Sequence, residues 1–174
     1  MEIIDLYNNK KQRFNKTMAR EAGEPMEGEY KLSVHTWILN SRGELLIQKR
    51  RNDLERNPGK WAFTGGAVDT GENSIEGAIR EVQEELNITV EEEEIELLLT
   101  FKREHGFVDV FLVKKDFDIE DVKVQEEEVE KVKWVSLKEL NSMLENDEFV
   151  KSVKLYYELF IRLLEKCHNL KIIK

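Results

Sequence analysis

Residues 65–88 read GGAVDTGENSIEGAIREVQEELNI, a glycine-containing loop followed by a segment with helical periodicity. Apolar residues of that segment recur at spacings of three and four, which places them on one face of a helix. They are Ile75, Ala78, Ile79, Val82 and Leu86. The spacing predicts an amphipathic helix over residues 73–86, with this face buried against other elements of the fold.

The same segment carries three glutamates at spacings of three and four, Glu81, Glu84 and Glu85. At about 100° per residue, Glu84 and Glu85 lie within about 60° of Glu81, one on either side, so the spacing predicts a single carboxylate patch. Like charges repel at this spacing, and a divalent cation would relieve the repulsion. Magnesium and manganese prefer such oxygen ligands. A solvated, glutamate-rich outer face is the alternative that the helix alone leaves open.

We call residues 65–72, which precede the helix, the glycine loop. Its three glycines, Gly65, Gly66 and Gly71, allow a tight loop with close backbone approach. The helix N-terminus that follows offers free amide groups, which suit an oxyanion such as phosphate. Loop and helix together therefore favour a site for a metal ion and a phosphate group.

The flanking sequence predicts an α/β fold. Alternating or β-rich runs predict strands, with hairpin turns at residues 40–43 and 104–106, and residues 8–29 are polar loop with one short strand near Thr17. Ser136 is the predicted N-cap of a helix to about Asn146, and an apolar stripe predicts a last helix over residues 148–167. The predicted strands are residues 2–7, 31–38, 45–48, 95–103, 107–115 and 129–135. Helices must then cover both faces of a mixed sheet, giving a three-layer α/β/α sandwich.

Length and composition narrow the class of protein. The 174 residues predict one domain over residues 1–174, in which residues 1–29 form an N-terminal strand and loop. The last helix, which ends at residue 167 or 168, is expected to pack on the domain or at a homodimer interface. A net charge of −9 disfavours a nucleic acid polymer as partner. The longest apolar run is too short for a membrane span, and no secretion signal is visible. The single cysteine, Cys167, lies on the apolar stripe, suits packing and fits a cytoplasmic protein.

The fixed offsets within residues 66–88 identify a resemblance to a known family. Gly66, Glu72, Arg80-Glu81 and Glu84-Glu85 stand at the spacing of the Nudix box. The one departure is Asn87, where the family has glycine. Asparagine is the next-best residue for the left-handed conformation that ends a helix, so the departure costs little. It also changes none of the expected metal ligands.

The resemblance implies the Nudix fold and a magnesium-dependent hydrolase, in which manganese can substitute. Carried over by position, Glu84 and Glu85 are the principal metal ligands, Glu81 is a further ligand or a base, and the backbone of Gly66 lies at the metal. Glu72 and Arg80 orient the carboxylates as outer partners. The expected reaction is cleavage of a diphosphate bond in a nucleoside diphosphate derivative or a similar small diphosphate.

Two further sets of residues are weaker candidates. The resemblance places another acidic ligand or base before a late strand, where Glu127 and Glu128 lie, with a solvated loop as the alternative. Lys49, Arg50 and Arg51 end a strand aimed at the glycine loop and are candidates to bind a substrate phosphate, with a solubilising strand end as the alternative. His35 lies on a strand among apolar neighbours and is interpreted as a structural histidine.

Residues 30–50 also resemble the isopentenyl-diphosphate isomerase-like branch of the family. Isomerases of this kind place a reactive cysteine where this chain has Gly65. They also bind a metal through histidines, and the aligned positions here are Glu24, Lys31 and Ala67. The sequence therefore favours a hydrolase over an isomerase. A binding module without activity is the third alternative, disfavoured because every carboxylate of the box is present.

Overall fold

The computed structural model describes residues 2–168, with side chains through residue 166. Within that range it contains eight strands and three α-helices. The strands are β1 (Ile3–Tyr7), β2 (Arg13–Ala19), β3 (Lys31–Leu39), β4 (Leu45–Arg50), β5 (Trp61–Ala62), β6 (Ile95–Arg103), β7 (Gly106–Lys114) and β8 (Val129–Val135). The helices are α1 (Ser74–Leu86), α2 (Leu137–Glu145) and α3 (Tyr157–His168). Each helix in this range is too short or too polar to cross a membrane.

Six strands form one mixed sheet. Five of them follow one another in the order β5-β4-β3-β7-β6, and the sixth, β8, pairs with β4. Only β3 and β7 run parallel among these described pairs, in register from Lys31 opposite Gly106 to Leu39 opposite Lys114. The remaining pairs are antiparallel, including the two predicted hairpins. The predicted mixed sheet is confirmed.

The two faces of the sheet bury different residues of β3. Val34 and Ile38 point into one apolar cluster, which includes Ala78, Val82 and Leu86 of α1. Trp37 and Leu39 point into a second cluster, formed with α2 and α3. Since successive side chains of a strand alternate between faces, one strand serves both layers. Helices therefore cover both faces, as the predicted α/β/α sandwich requires.

Helix α1 begins and ends as its local sequence dictates. The side chain of Asn73 accepts hydrogen bonds from the backbone N–H groups of Ile75 (2.9 Å) and Glu76 (3.0 Å), while the Glu76 carboxylate accepts one from the N–H of Asn73 (2.7 Å). Asn87 ends the helix in the left-handed conformation, with φ of 53°. Asparagine thus performs the role of the glycine that the family has at this position.

The N-terminal segment is more ordered than the sequence indicates. β1 and β2 form an antiparallel hairpin of their own, which includes the predicted strand near Thr17. This hairpin holds the glycine loop through two hydrogen bonds: Thr70 N–H donates to the backbone carbonyl of Ile3 (2.9 Å), and Gly71 N–H donates to the side-chain carboxylate of Asp5 (3.0 Å). The segment predicted as polar loop therefore contributes a strand to a hairpin that binds the glycine loop.

The prediction of one helix over residues 148–167 is wrong in its first part. Trp61 N–H donates to the carbonyl of Glu148, and Val150 N–H donates to the carbonyl of Trp61, both at 2.9 Å. Residues 148–150 therefore extend the edge of β5 and cannot be helical. A 3₁₀ turn over Lys151–Leu155 follows, and α3 begins at Tyr157.

The apolar stripe of this C-terminal segment is nevertheless buried on the sheet. It contributes Phe149, Val153, Tyr156, Phe160 and Leu164 to the core. The segment therefore packs on its own domain, one of the two outcomes that the stripe predicts. The predicted packing of Cys167 lies outside the described side chains.

Candidate active site

The glycine loop lies against β3 at a distance that only glycine permits. Val34 N–H donates to the carbonyl of Gly66 (2.9 Å). A Cβ atom added at Gly65 would fall 2.0 Å from the carbonyl oxygen of Val34, and one added at Gly66 would fall 2.3 Å from Oε1 of Glu81. The missing side chains therefore let the loop backbone approach both the strand and a carboxylate of α1.

Arg80 connects the acidic residues of the site. Its guanidinium donates two hydrogen bonds to the Glu72 carboxylate (2.8 and 3.2 Å), and one each to Glu81 (3.0 Å) and Glu84 (2.9 Å). A further hydrogen bond reaches the carbonyl of Ala67 in the glycine loop (2.9 Å). Although burial lowers the pKa of Arg80, the hydrogen bonds and charges of Glu72 and Glu81 raise it above its ordinary value. Arg80 thus fixes the carboxylates relative to the loop.

Glu81 and Glu85 are buried carboxylates, with 6% and 2% of their surface exposed. Burial raises the pKa of Glu81 to about 7, against the opposing charge of Arg80. Burial and then the charge of Glu81 raise the pKa of Glu85 to about 8. Hydrogen bonds from the Gln48 amide and from the N–H of Gly65 (3.1 Å) oppose that rise. Two desolvated carboxylates lie together here with incomplete compensation.

Glu84 differs from the other two glutamates, since 53% of its side chain is exposed. The predicted single patch is therefore split: Glu81 and Glu85 point into the fold, and Glu84 lies at the rim beside Arg80. Among the side chains of residues 2–166, no three Asp, Glu, His or Cys groups converge closely enough to hold a metal ion as they stand.

The chemistry of the donors nevertheless suits a divalent cation. The Oε1 atom of Gln48 is buried and, within the described part of the chain, has no hydrogen-bond partner. Its amide adjoins the carboxylate of Glu85, which in turn contacts the glycine loop. Two buried carboxylates, an amide oxygen and the Gly66 carbonyl are all hard oxygen donors of the kind that magnesium and manganese prefer. A cation among them would also lower the cost of burying both negative charges.

Comparison with known proteins identifies the family. A model of the NUDIX domain matches residues 29–157 of the chain. The chain is a Nudix hydrolase. A Nudix hydrolase of Listeria monocytogenes is 37% identical over 152 residues, which cover 86% of this chain and 89% of the relative.

Solved structures agree on the fold. The MutT protein of Methanosarcina mazei Go1 is 30% identical, with a TM-score of 0.62 over 82% of this chain and 100% of that one. A protein of Deinococcus radiodurans superposes with a TM-score of 0.70 over 86% of this chain and 92% of that one, at 22% identity. The predicted Nudix fold is confirmed.

The acidic segment before β8 places its two candidate glutamates differently. The charge of Glu128 contributes to the raised pKa of Glu85, so this carboxylate lies near the Nudix box. The charge of Glu127 acts on Arg51, outside the site. The backbone reason is that residues 125–129 form a tight turn, with Val129 N–H donating to the carbonyl of Gln125 (2.9 Å).

Arg50 and Arg51, two of the three candidate phosphate ligands, also separate. Arg51 forms a two-pronged ion pair with Asp53 (2.8 and 2.9 Å) and donates to the carbonyl of Glu126 (3.0 Å). These partners hold its guanidinium in this arrangement, and the expectation that Arg51 binds a substrate phosphate stays a prediction. Arg50 lines a cavity of about 110 Å³ that Gly65 of the glycine loop also lines.

His35 lines the same cavity, which we call the site cavity, together with Phe63. Its Nδ1 atom lies 2.8 Å from the hydroxyl of Tyr156. Burial, and then the charge of Arg103, lower the pKa of His35 to about 4. A neutral histidine bonded to a core tyrosine agrees with the structural role inferred for it from the sequence.

Arg20, at the end of the N-terminal hairpin, is a site residue that sequence reasoning missed. Its guanidinium pairs with Glu2, and its charge lowers the pKa of Glu81. Glu81 and Glu128 in turn help to raise the pKa of Arg20, after the hydrogen bond and charge of Glu2 and against burial, the largest cause. Arg20 precedes the matched family region, so no motif could have indicated it.

Proposed function

We propose that this Nudix hydrolase cleaves a diphosphate bond in a nucleoside diphosphate derivative or a similar small diphosphate, with magnesium or manganese. The observation that carries the proposal is the buried pair Glu81 and Glu85, packed against the glycine loop and oriented by Arg80. A fold gains nothing from burying two carboxylates together, because each must lose its hydration. The arrangement is explained if a cation compensates them.

Glu81, Glu84, Glu85 and the carbonyl of Gly66 would hold the cation, with the Gln48 amide oxygen as a further donor. When bound, the cation supplies positive charge to the phosphoryl oxygens and makes a water molecule more acidic. Glu84 is the ligand nearest to solvent, so its carboxylate stands where a substrate enters.

Other residues of the chain act on the substrate and on its proton. Arg20, whose charge acts on Glu81, and Arg50, which lines the site cavity with Gly65, would bind phosphate oxygens. Glu128 lies near Glu85 without being held by Arg80, so we assign it the proton of the attacking water. Glu72 acts only through Arg80, whose guanidinium it fixes at two points.

The geometry at Gly65 favours hydrolysis over isomerisation. Moving a double bond needs acid and base groups on both sides of the hydrocarbon, and the related isomerases use a cysteine at this position. In this chain a Cβ atom at residue 65 would collide with the carbonyl of Val34 at 2.0 Å. The resemblance of residues 30–50 to the isomerase branch therefore concerns the scaffold alone.

Two assays test the proposal with the full chain. In the first, a panel of nucleoside diphosphate derivatives is incubated with magnesium, and released phosphate is measured after coupling to a phosphatase. In the second, isopentenyl diphosphate is followed by deuterium incorporation from heavy water. We expect magnesium-dependent cleavage of at least one compound and no incorporation. Robust incorporation without cleavage would refute the assignment as a hydrolase.

A further inference from the structure

A second concave surface adjoins the site cavity on the same face of the sheet. We call it the hairpin groove: it encloses about 250 Å³ and is lined by Glu24, Lys31, Ser33, Arg56 and Arg103 with the turn at residues 104–106. Ser33 and His35 are successive residues on one face of β3, and Arg56 adjoins Asn57 in the chain. The groove therefore lies next to the site cavity, and an elongated ligand in the site cavity would extend towards it.

Arg103 is the arginine at the base of this groove. It ends β6, opposite Gly106 of the hairpin, and is partly buried. Its charge lowers the pKa of His35 and opposes the rise in the pKa of Tyr156, so the guanidinium points inward along the sheet. Among the described residues, no hydrogen bond or ion pair holds it.

The environment of Arg103 is costly for the protein by itself. Burial lowers its pKa, against the charge of Glu24. A desolvated guanidinium without hydrogen bonds is unfavourable, and its planar fork of donors matches the oxygens of a phosphate or a carboxylate. The structure contains no such partner for it within residues 2–166, so the missing partner is best supplied by a ligand.

The other charges of the groove leave it positive. Lys31 donates to the carbonyl of Gly23 (2.6 Å), which holds its ammonium group at the wall, and Arg56 is exposed at the mouth. The carboxylates of Glu24 and Glu104 offset two of the three fixed cations. This local excess stands out in a chain whose net charge is −9. An anion would be attracted here and repelled by most of the remaining surface.

We propose that Arg103 forms a second anion subsite, which binds a phosphate or carboxylate carried by the substrate at the end remote from the scissile diphosphate. The proposal rests on the proposed function only for the position of the diphosphate at the glycine loop. Four residues along β3 and two strands across, at about 3.3 Å and 4.8 Å each, put the Cα of Arg103 roughly 16 Å from that of His35. The guanidinium extends from this position towards His35, so the second anionic group would bind outside the glycine loop, at the end of the site cavity nearest Arg103.

The test compares ligand pairs that differ by one remote anionic group. The affinities of NADP⁺ and NAD⁺ are compared to test for a phosphate, and those of UDP-glucuronate and UDP-glucose to test for a carboxylate. Dissociation constants are measured by titration calorimetry in the presence of a chelator, so that no cleavage occurs. In at least one comparison we expect the more anionic ligand to bind at least about tenfold more tightly, which one charge-assisted hydrogen bond can supply.

Variants assign any preference to Arg103. Arg103→Gln should abolish the preference, and Arg103→Lys should retain part of it, because lysine keeps the charge but loses the planar fork. Lys102→Gln is the matched control: it removes the same charge from the next residue, which lies over the Tyr30 ring on the opposite face (4.4 Å), and should leave the preference intact. Equal affinities within both pairs, including no detectable binding of any ligand, would overturn the subsite.

Thermal unfolding tests whether Arg103 has a structural role. Because Arg103 has no internal partner, Arg103→Gln should unfold at the temperature of the wild type or above it. A lower melting temperature together with an unchanged ligand preference would show that the residue serves the hairpin and not a ligand. Binding is measured without cleavage, so a chain that hydrolyses nothing can still support the subsite. A hydrolase that fails this test loses only the subsite.

Discussion

Two arginines on opposite sides of the sheet are both partly buried, yet their surroundings differ completely. Arg80 in the Nudix box donates to three carboxylates and a carbonyl, and its pKa is raised. Arg103 in the hairpin groove has no such bond among the described residues, and its pKa is lowered. An arginine whose donors are satisfied organises its neighbours, whereas one left without partners is available to a ligand. The same contrast separates Glu72, fixed by Arg80, from the incompletely compensated Glu85.

The largest expected effect comes from Glu85→Gln, which removes the buried negative charge without changing its shape. Turnover should fall by about 10²-fold or more, as is found on losing a main electrostatic group. The apo protein should keep or gain stability, because a neutral amide is easier to bury than a carboxylate. Both are measured, as initial rates with magnesium and as the melting temperature with chelator. Glu92→Gln, in the exposed run after the box, is the control and should match the wild type. Equal losses at the two positions would remove the assigned role.

Arg80→Gln should have the opposite balance, with a loss of stability that accompanies the loss of activity. Removing the guanidinium leaves Glu72, Glu81 and Glu84 without their shared partner. Breaking a largely buried ion pair from one side costs about 3 kcal/mol. Denaturant unfolding measures the difference, and Arg162→Gln on the exposed face of α3 is the matched control. An unfolding free energy equal to that of the wild type would mean that Arg80 is as dispensable to the fold as Arg103.

Sequence predicts the Arg80 side of this contrast well, because the relevant signals are local. Asn73 and Asn87 mark the ends of α1, and the box spacing identifies the glutamates that Arg80 connects. The difference in exposure between Glu84 and Glu85 could not be predicted from the sequence, because it depends on how α1 is rotated about its axis relative to the sheet. Only the burial of one side of the helix decides that Glu85 points inward.

Residues that reach a site from distant segments were missed for a related reason. Arg20 and Gln48 lie outside the Nudix box, and each becomes a site residue only because a hairpin or a central strand brings it to the glycine loop. Residues 148–150 have helical periodicity but pair with Trp61, so tertiary hydrogen bonds override the local pattern. Arg103 ends a predicted strand, and no pattern in the sequence marks its unpaired state.

A smaller effect is expected from the metal itself. If Glu81 and Glu85 are compensated by a cation, magnesium should raise the melting temperature of the wild type. At a hundredfold excess over the dissociation constant the gain is about 2.7 kcal/mol at most. The gain should shrink in Glu85→Gln and persist in Arg103→Gln, since Arg103 lies outside the proposed metal site. Differential scanning calorimetry with magnesium and with chelator provides the measurement. A melting temperature indifferent to magnesium in the wild type would contradict the assignment of these carboxylates as ligands.

The smallest effect links Arg103 to His35, which lines the site cavity. Burial and the charge of Arg103 hold the pKa of His35 at about 4, below the ordinary 6.5. Between these values the unfolded chain takes up a proton that folded His35 does not, so this group's contribution to stability is complete above pH 6.5 and is lost as the pH falls towards 4.

Arg103→Gln should raise the pKa of His35 while leaving it below 6.5, because burial is the larger cause. The pH range over which His35 destabilises the fold, from its folded pKa up to 6.5, becomes narrower as a result. Titration of the imidazole signals by NMR measures the pKa, with His35→Gln identifying the resonance among the three histidines of the chain. Phosphate bound in the hairpin groove should raise the pKa of His35 in the wild type and not in Arg103→Gln. A pKa that is the same in wild type and variant would mean that the guanidinium of Arg103 points away from the site cavity.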